Sequence, residues 1–456
     1  MGEVRWEQMS ATVPDETSVV PPHARWASTQ ARFARFARGR LDTPRGWVPP
    51  AVVAAGWTLW GYVRMRPPAG ALANHLAAYR LWAYQHLAYS DLLGLYRSHA
   101  LYNHGAPYIH TAIEYPVVTG LFMWGAAWFP GVQGYLLASA LGIGACVVGC
   151  VWVLFRSSPK HAWIFALSPL LLVYTLLNWD ILAIALMLGG WLAFRQRRDA
   201  VAGVLFALGV FAKLYPVVLL LFCVAHLFAE RADPTERRRL RNLVVSASIT
   251  ALVVNLPFAL ANSRNWLNFF TFNAERHSNS GVLNELHIVA GWPVAGVDAL
   301  TALLGGAVAA FFIWRVVQRR MPPEVAAAIT LASGLLLNKT FSPQYMLWIF
   351  VVALLAEWPT WTYPGLIIAG LVDFANAMIT FSLDRTHPAA WTWYWGHVFH
   401  LNLALRNTAI ATALVGALWA SRRQWLPIAG SPTPPAEPRP YRADRSRSLT
   451  SPGAGA

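Results

Sequence analysis

Apolar runs recur along this chain at a length that suits neither strands nor the one-sided stripes of soluble helices. They fall at about 46–64, 135–155, 161–178, 180–195, 200–214, 215–229, 242–262, 290–316, 324–338, 344–358, 361–382 and 404–420. Such runs predict helices in lipid. Several are shorter than the roughly 20 residues a helix needs to cross the hydrocarbon core, so tilted, broken or proline-kinked helices are expected. The predicted fold is all-α, a polytopic integral membrane protein with about twelve transmembrane helices. The transmembrane domain covers 46–425, with an external loop at 65–116.

The two ends read differently. Residues 1–45 are polar and close on "RFARFARGRLDTPR", a basic cytoplasmic arm suited to anionic lipid. Residues 426–456 are rich in Pro, Ser and Arg, with too little apolar content to fold, and read as a disordered cytoplasmic tail. No cleavable leader is expected, because the first apolar run begins only near Trp47.

Composition sharpens this picture. The chain is 56% hydrophobic and 12% charged, against about 25% charged in a soluble domain. The deficit runs through most of the length, which excludes a soluble domain on a single anchor. Trp57, Trp60, Trp179 and Trp266 stand at the ends of apolar runs, as interfacial belts require. The net charge of +15 does not point to nucleic acid, because the basic residues cluster between apolar spans. Cys146, Cys150 and Cys223 lie inside apolar runs and read as small core residues.

With the basic arm inside and spans alternating, the internal loops are "RSSPKH", "RQRRD", "ERADPTERRRLR", "RVVQRRMPP" and "EWPTW", followed by the tail from "SRRQW". All but "EWPTW" are Arg-rich, whereas the external loops hold far fewer basic residues. This arrangement requires the run 117–131 to be re-entrant or lateral. It also puts the polar motifs on one face: the loop 88–116, "NWD" (178–180), Lys213 of "AKLYP", the segment 263–287, "NKTFSPQY" (338–345) and "DRTHPAAWTWYWGH" (384–397). One active site at the outer face accounts for that segregation.

Asp91 opens the segment "DLLGLYRSHALY", with Ser90 as its N-cap. Its plain reading is a first-turn acid favoured by the helix dipole. Its chemical reading is a general base, since taking a proton from a hydroxyl needs one carboxylate within hydrogen-bond reach. Glu114, in "HTAIEYP", is a second acid. Asp180 and Lys213 sit at membrane depth, where a charge must be paired or functional; they pair with each other, or Lys213 faces a phosphate with Arg276 or Lys339. Arg276 and His277 belong to the loop "NAERHSNS", which also reads as plain solvated loop. Lys339 and Gln344 flank a proline break, where irregular polar backbone must line a cavity or be buried. The candidate set is therefore Asp91 as catalytic base, with Glu114, Asp180, Lys213, Arg276, His277, Lys339 and Gln344 binding substrate. No metal ligand set and no cofactor is expected. The chain has no phosphate-binding P-loop, no dinucleotide fingerprint and no H-E-x-x-H.

The ordered set "YSDLLGLYRSHALYNHGAPY…EYPVVTGLFMW", "NWDILAIAL", "AKLYP", "NLPFAL…NWLNFFTFNAER" and "FSPQYMLW" resembles actinobacterial glycosyltransferase family 87 over roughly residues 45–420. That family belongs to the glycosyltransferase C superfamily of polytopic transferases, and its characterised members use polyprenyl-phosphate mannose. The resemblance implies a catalytic aspartate in the first external loop, at Asp91, with Lys213 and Arg276 serving the lipid phosphate. The chain departs from the family pattern in being compact between Glu114 and Asp180. Its segment 276–287 also departs, so no residue past Arg276 is carried over.

The expected activity is transfer of a hexose, mannose by resemblance, from polyprenyl phosphate to a hydroxyl of a glycolipid or polysaccharide. The expected place is the extracytoplasmic face of the plasma membrane, among membrane lipids and without nucleic acid. The alternative is a transporter or flippase of lipid-linked sugars, which needs polar residues on both faces. A non-catalytic scaffold for envelope synthesis leaves the one-sided clusters unexplained.

Overall fold

The computed structural model describes residues 46–68, 75–275, 281–283, 287 and 290–425, with the side chains of 423–425 set aside. The expected basic arm and tail, and the candidates Arg276 and His277, lie outside the described residues. Among those residues every regular element is helical, because the apolar runs leave the backbone no partner but itself in lipid.

Prolines set the punctuation. Pro116, Pro130 and Pro293 stand immediately before helices, while α1 (Val48–Met65), α6 (Pro159–Leu167), α10 (Pro216–Ala229) and α14 (Pro323–Leu337) have proline in the first turn, where its missing N–H costs nothing. Between them run α2 (Leu76–Gln85), α3 (Asp91–Ser98), α4 (Val117–Ala127), α5 (Gly131–Ser157), α7 (Leu170–Tyr174), α8 (Asp180–Arg195) and α9 (Asp199–Val210). Further along come α11 (Pro234–Ala261), α12 (Ser263–Glu275), α13 (Val294–Val317), α15 (Tyr345–Leu355), α16 (Thr362–Thr386), α17 (Pro388–Tyr394) and α18 (His400–Trp425).

Among the described residues five helical stretches are long and apolar enough to cross a bilayer alone: 131–157, 234–261, 294–317, 362–386 and 388–422. Five more are apolar but hold only 11 to 15 residues: α4, α9, α10, α14 and α15. At 1.5 Å per residue these reach roughly 16 to 22 Å, less than the hydrocarbon thickness of roughly 30 Å. Twelve independent crossings are therefore not what the helix lengths give. The predicted run 161–178 is likewise broken into α6, α7 and a turn, because Ser168 and Pro169 interrupt it.

The run 117–131 holds only the 11-residue α4. Trp124 Nε1, near the end of α4, donates to His104 O at 3.0 Å, and the His104 ring stacks on Trp128 at 4.6 Å. Both ends of α4 thus stay beside the loop that precedes it, and α5 starts from the same level.

Two sets of loops gather at opposite ends of the helices. At one end Arg197 pairs with Glu236, Arg239 with Asp199 and Glu236, Arg195 with Glu324, and Arg319 with Glu230, over 2.8–3.6 Å. Lys160 Nζ meets Thr360 Oγ1 at 2.8 Å there. These are the segments expected to be internal. At the other end Ser90 and Asp91 bond to the 176–177 turn, α4 bonds to the 211–212 turn, and Asn262 and Asn265 both donate to Ile109 O at 3.1 Å.

Candidate active site

Asp91 is fixed by its backbone before its side chain does anything. Ser90 caps α3, its Oγ accepting from Leu92 N at 3.2 Å and donating to Leu176 O at 2.6 Å. Asp91 N donates to Leu177 O at 2.7 Å. Leu92, Leu93 and Tyr96 are buried beneath and seat the helix on the bundle. The turn that receives these bonds leads directly into Trp179 and Asp180, so the first turns of α3 and α8 are tied together.

The neighbouring loop arrives by a similar device. Tyr108 is buried and its hydroxyl lies 2.8 Å from the carbonyl oxygens of both Tyr115 and Pro116. A Cβ at Gly120 would run into that hydroxyl, so the close approach needs glycine. With its backbone held, Tyr115 donates its hydroxyl to Asp91 Oδ2 at 3.1 Å. One turn on, Val118 N donates to Phe211 O and Thr119 Oγ1 to Ala212 O, each at 2.8 Å. Those bonds fix the turn that carries Lys213.

Lys213 Nζ lies 3.0 Å from Asp180 Oδ1, 4.6 Å from the centroid of the Tyr115 ring and 5.8 Å from that of Trp348. Asp180 is fully buried at the start of α8, where the helix dipole favours a carboxylate. Its backbone N–H donates to Asn178 Oδ1 at 3.0 Å. The Trp179 ring meets Tyr115 edge-on at 5.1 Å, and the Trp348 ring stacks on Tyr215 and lies tilted against Tyr345, both at 4.1 Å. Asp91, Tyr89, Tyr115 and Lys213 are half-buried.

Burial raises the Asp91 carboxyl above the usual carboxylate range; hydrogen bonds from Tyr89 and Tyr115 and the charge of Lys213 pull it back, while the Asp180 charge pushes it up. A carboxylate whose proton affinity is raised in this way is a better proton acceptor than a solvated one. A small pocket lined by Met187, Tyr215, Leu219, Glu324 and Leu331 does not include Asp91.

The structure brings Asp91, Asp180 and Lys213 together. Glu114 is adjacent, with Oε2 2.6 Å from His99 Nε2. Lys339 meets Asp298 Oδ2 at 3.0 Å in a separate pair, and Gln344 is the N-cap residue of α15, one residue before Tyr345. Sequence reasoning missed Tyr89, Tyr115 and Trp348. A tyrosine in a polar loop and a tryptophan in an apolar run carry no signal of their own; only the adjacency of Tyr115 to Glu114 hinted at it.

The sequence model of glycosyltransferase family 87 matches residues 113–343, more than half of the 456 residues. The match takes in Glu114, Tyr115, Asp180, Lys213 and Lys339, and begins after Asp91. Neither the comparison with curated proteins nor that with solved structures gave a match. An all-helical bundle with membrane-length apolar helices, a carboxylate and a lysine at one end, and this family match lead to one conclusion: the chain belongs to glycosyltransferase family 87 and is a membrane glycosyltransferase.

Proposed function

We propose that the protein transfers a hexose, mannose as the family resemblance suggests, from a polyprenyl phosphate to a hydroxyl of a glycolipid or polysaccharide. The reaction takes place at the extracytoplasmic face of the plasma membrane, within a glycosyltransferase C-like arrangement of helices. The observation that carries this reading is the half-buried Asp91 carboxyl, held by Tyr115 and set beside Lys213 at one end of the bundle.

Asp91 takes the proton from the acceptor hydroxyl. The acceptor oxygen forms its bond to the sugar's anomeric carbon as the bond from that carbon to the phosphate oxygen breaks, and the electron pair leaves on the polyprenyl phosphate. One displacement inverts the configuration. Lys213 meets the charge that grows on the leaving phosphate. Its partner in the structure is Asp180; the donor phosphate becomes a second counter-ion. The Tyr115, Trp179 and Trp348 rings offer flat apolar faces to sugar or isoprene. A lipid-borne donor needs no nucleotide-binding fold, in keeping with the motifs of the sequence. The alternative, transport of lipid-linked sugars, asks for polar sites at both ends; the far end holds paired charges instead.

The test is donor choice. Purified protein in liposomes, given labelled polyprenyl-phosphate mannose and a lipid extract as acceptor, should label a glycolipid or polysaccharide. The same sugar on a nucleotide should give no product. Use of the nucleotide sugar with no use of the lipid donor would reject this reading.

A further inference from the structure

One charge pair stands apart from both ends. Asp373 on α16 and Arg406 on α18 are 2% and 1% exposed, with Arg406 Nη1 3.0 Å from Asp373 Oδ1. Arg406 Nε and Nη2 both donate to Asn407 Oδ1, at 3.1 and 2.9 Å. A buried pair inside a membrane bundle is expensive, and apolar residues of similar volume join two helices at least as well. The helices α16 and α18 already pack along one another. Holding them together does not explain the charges.

The guanidinium has a third neighbour. Its carbon lies 4.0 Å from the centroid of the Phe341 ring, which is itself buried. Phe341 stands in the break between α14 and α15, where the backbone has no helix to fix it. From there rings follow one another into the candidate active site. Phe341 meets Tyr345 at 5.5 Å, Tyr345 meets Trp348 at 4.1 Å, and Trp348 stacks on Tyr215 at 4.1 Å and faces Lys213 Nζ at 5.8 Å.

We propose that Arg406 is a positioning residue for glycosyl transfer: Asp373 orients its guanidinium, the guanidinium holds Phe341, and the ring chain sets Trp348 beside Lys213. A planar, always charged guanidinium suits the task, because it stacks on an aromatic face while its edge bonds a carboxylate. A lysine offers the charge without the plane. This rests on the reading of Lys213 as the group that binds the donor phosphate.

The test uses full-length protein in nanodiscs with polyprenyl-phosphate mannose as the donor probe. In D373L/R406M both charges leave together, so no lone charge remains buried. In F341L the ion pair stays and only the ring is lost. Both variants should keep the parent's unfolding temperature and the parent's acceptor KM. Both should raise donor KM roughly 10- to 100-fold, the scale of a small misplacement in a site, and quicken amide exchange across 338–348. F341W should restore donor KM, and adding D373L/R406M to F341L should cost nothing further. Parent donor KM and parent exchange in D373L/R406M would overturn the proposal and leave the pair a helix tie. Should D373L/R406M misfold, F341L alone decides, and a parent-like F341L overturns it. If Asp91→Asn still transfers sugar, the reading of the site has failed, yet exchange across 338–348 still judges the positioning.

Discussion

At the Arg-rich end of the bundle, charges are shared among several partners. Arg239 reaches both oxygens of Asp199 at 3.0 Å, Glu236 at 2.8 Å and Phe194 O at 3.2 Å, and Glu236 also takes Arg197 at 2.9 Å. At the opposite end the lysines pair singly, Lys213 with Asp180 and Lys339 with Asp298, and Asp91 is held by hydroxyls rather than by a cation in contact. The first arrangement spreads each charge over more than one contact and leaves little for a ligand to bring. The second leaves a base and a cation half-buried among aromatic rings. Ion-pair density marks the end that holds the bundle; sparse charge among aromatic rings marks the end where we propose the chemistry.

The widest separation between the ends should come from Asp91→Asn. Asn keeps the shape, and the Ser90 cap is untouched, so the fold should persist. It cannot take a proton, so transfer of labelled mannose should fall roughly 10²–10⁴-fold. Near-parent turnover would remove Asp91 as the base and shift attention to Glu114 and Asp180.

Arg239→Ala should do the reverse, costing stability rather than specific chemistry. It leaves Asp199 and Glu236 buried with too little compensation, a loss of about 3–5 kcal/mol. Thermal unfolding in detergent should show it, with turnover per folded molecule unchanged. A selective loss of turnover would mean that the Arg-rich end takes part in the reaction.

Next in size is the pair beside Asp91. In Asp180→Asn with Lys213→Met no lone charge is left buried, so the bundle should fold. Transfer should still drop roughly 10²–10³-fold, the cost of one lost charge-stabilising group. Parent-like transfer would reduce the pair to a structural contact.

The smallest effect should be that of Tyr115→Phe, about tenfold or less in rate, as expected for one half-exposed hydrogen bond. Its pH profile says more. The Tyr115 hydroxyl favours the carboxylate form of Asp91 and so lowers its pKa. Without it, more of the base is protonated at a given acid pH, and the acid limb of kcat/KM should move upward. An unmoved limb would separate Tyr115 from the titrating group.

Much of the bundle was legible because charge and proline punctuate it. The run read as 180–195 is α8 as found, and that read as 215–229 is α10 to within a residue. Lengths were the weak point, since hydropathy reports apolar content and not where a helix breaks. The segment 263–275 passed as loop because its Trp and Phe alternate with polar residues, yet it is helical with none of its residues buried. At the site, the acids and the lysine were legible as costly charges in an apolar chain. Their assembly was not, because it depends on carbonyl groups of Leu176, Leu177, Phe211 and Ala212, which any residue carries.

The claim that the Asp91 end receives the donor can be met head-on. A polyprenyl phosphate with a photoreactive group on the isoprene unit next to the phosphate would be irradiated with the full-length protein in nanodiscs, and the adducts mapped by mass spectrometry. The account predicts adducts in 88–116, 211–216 and 341–348. Adducts confined to 195–199, 230–241 and 317–324 would contradict it.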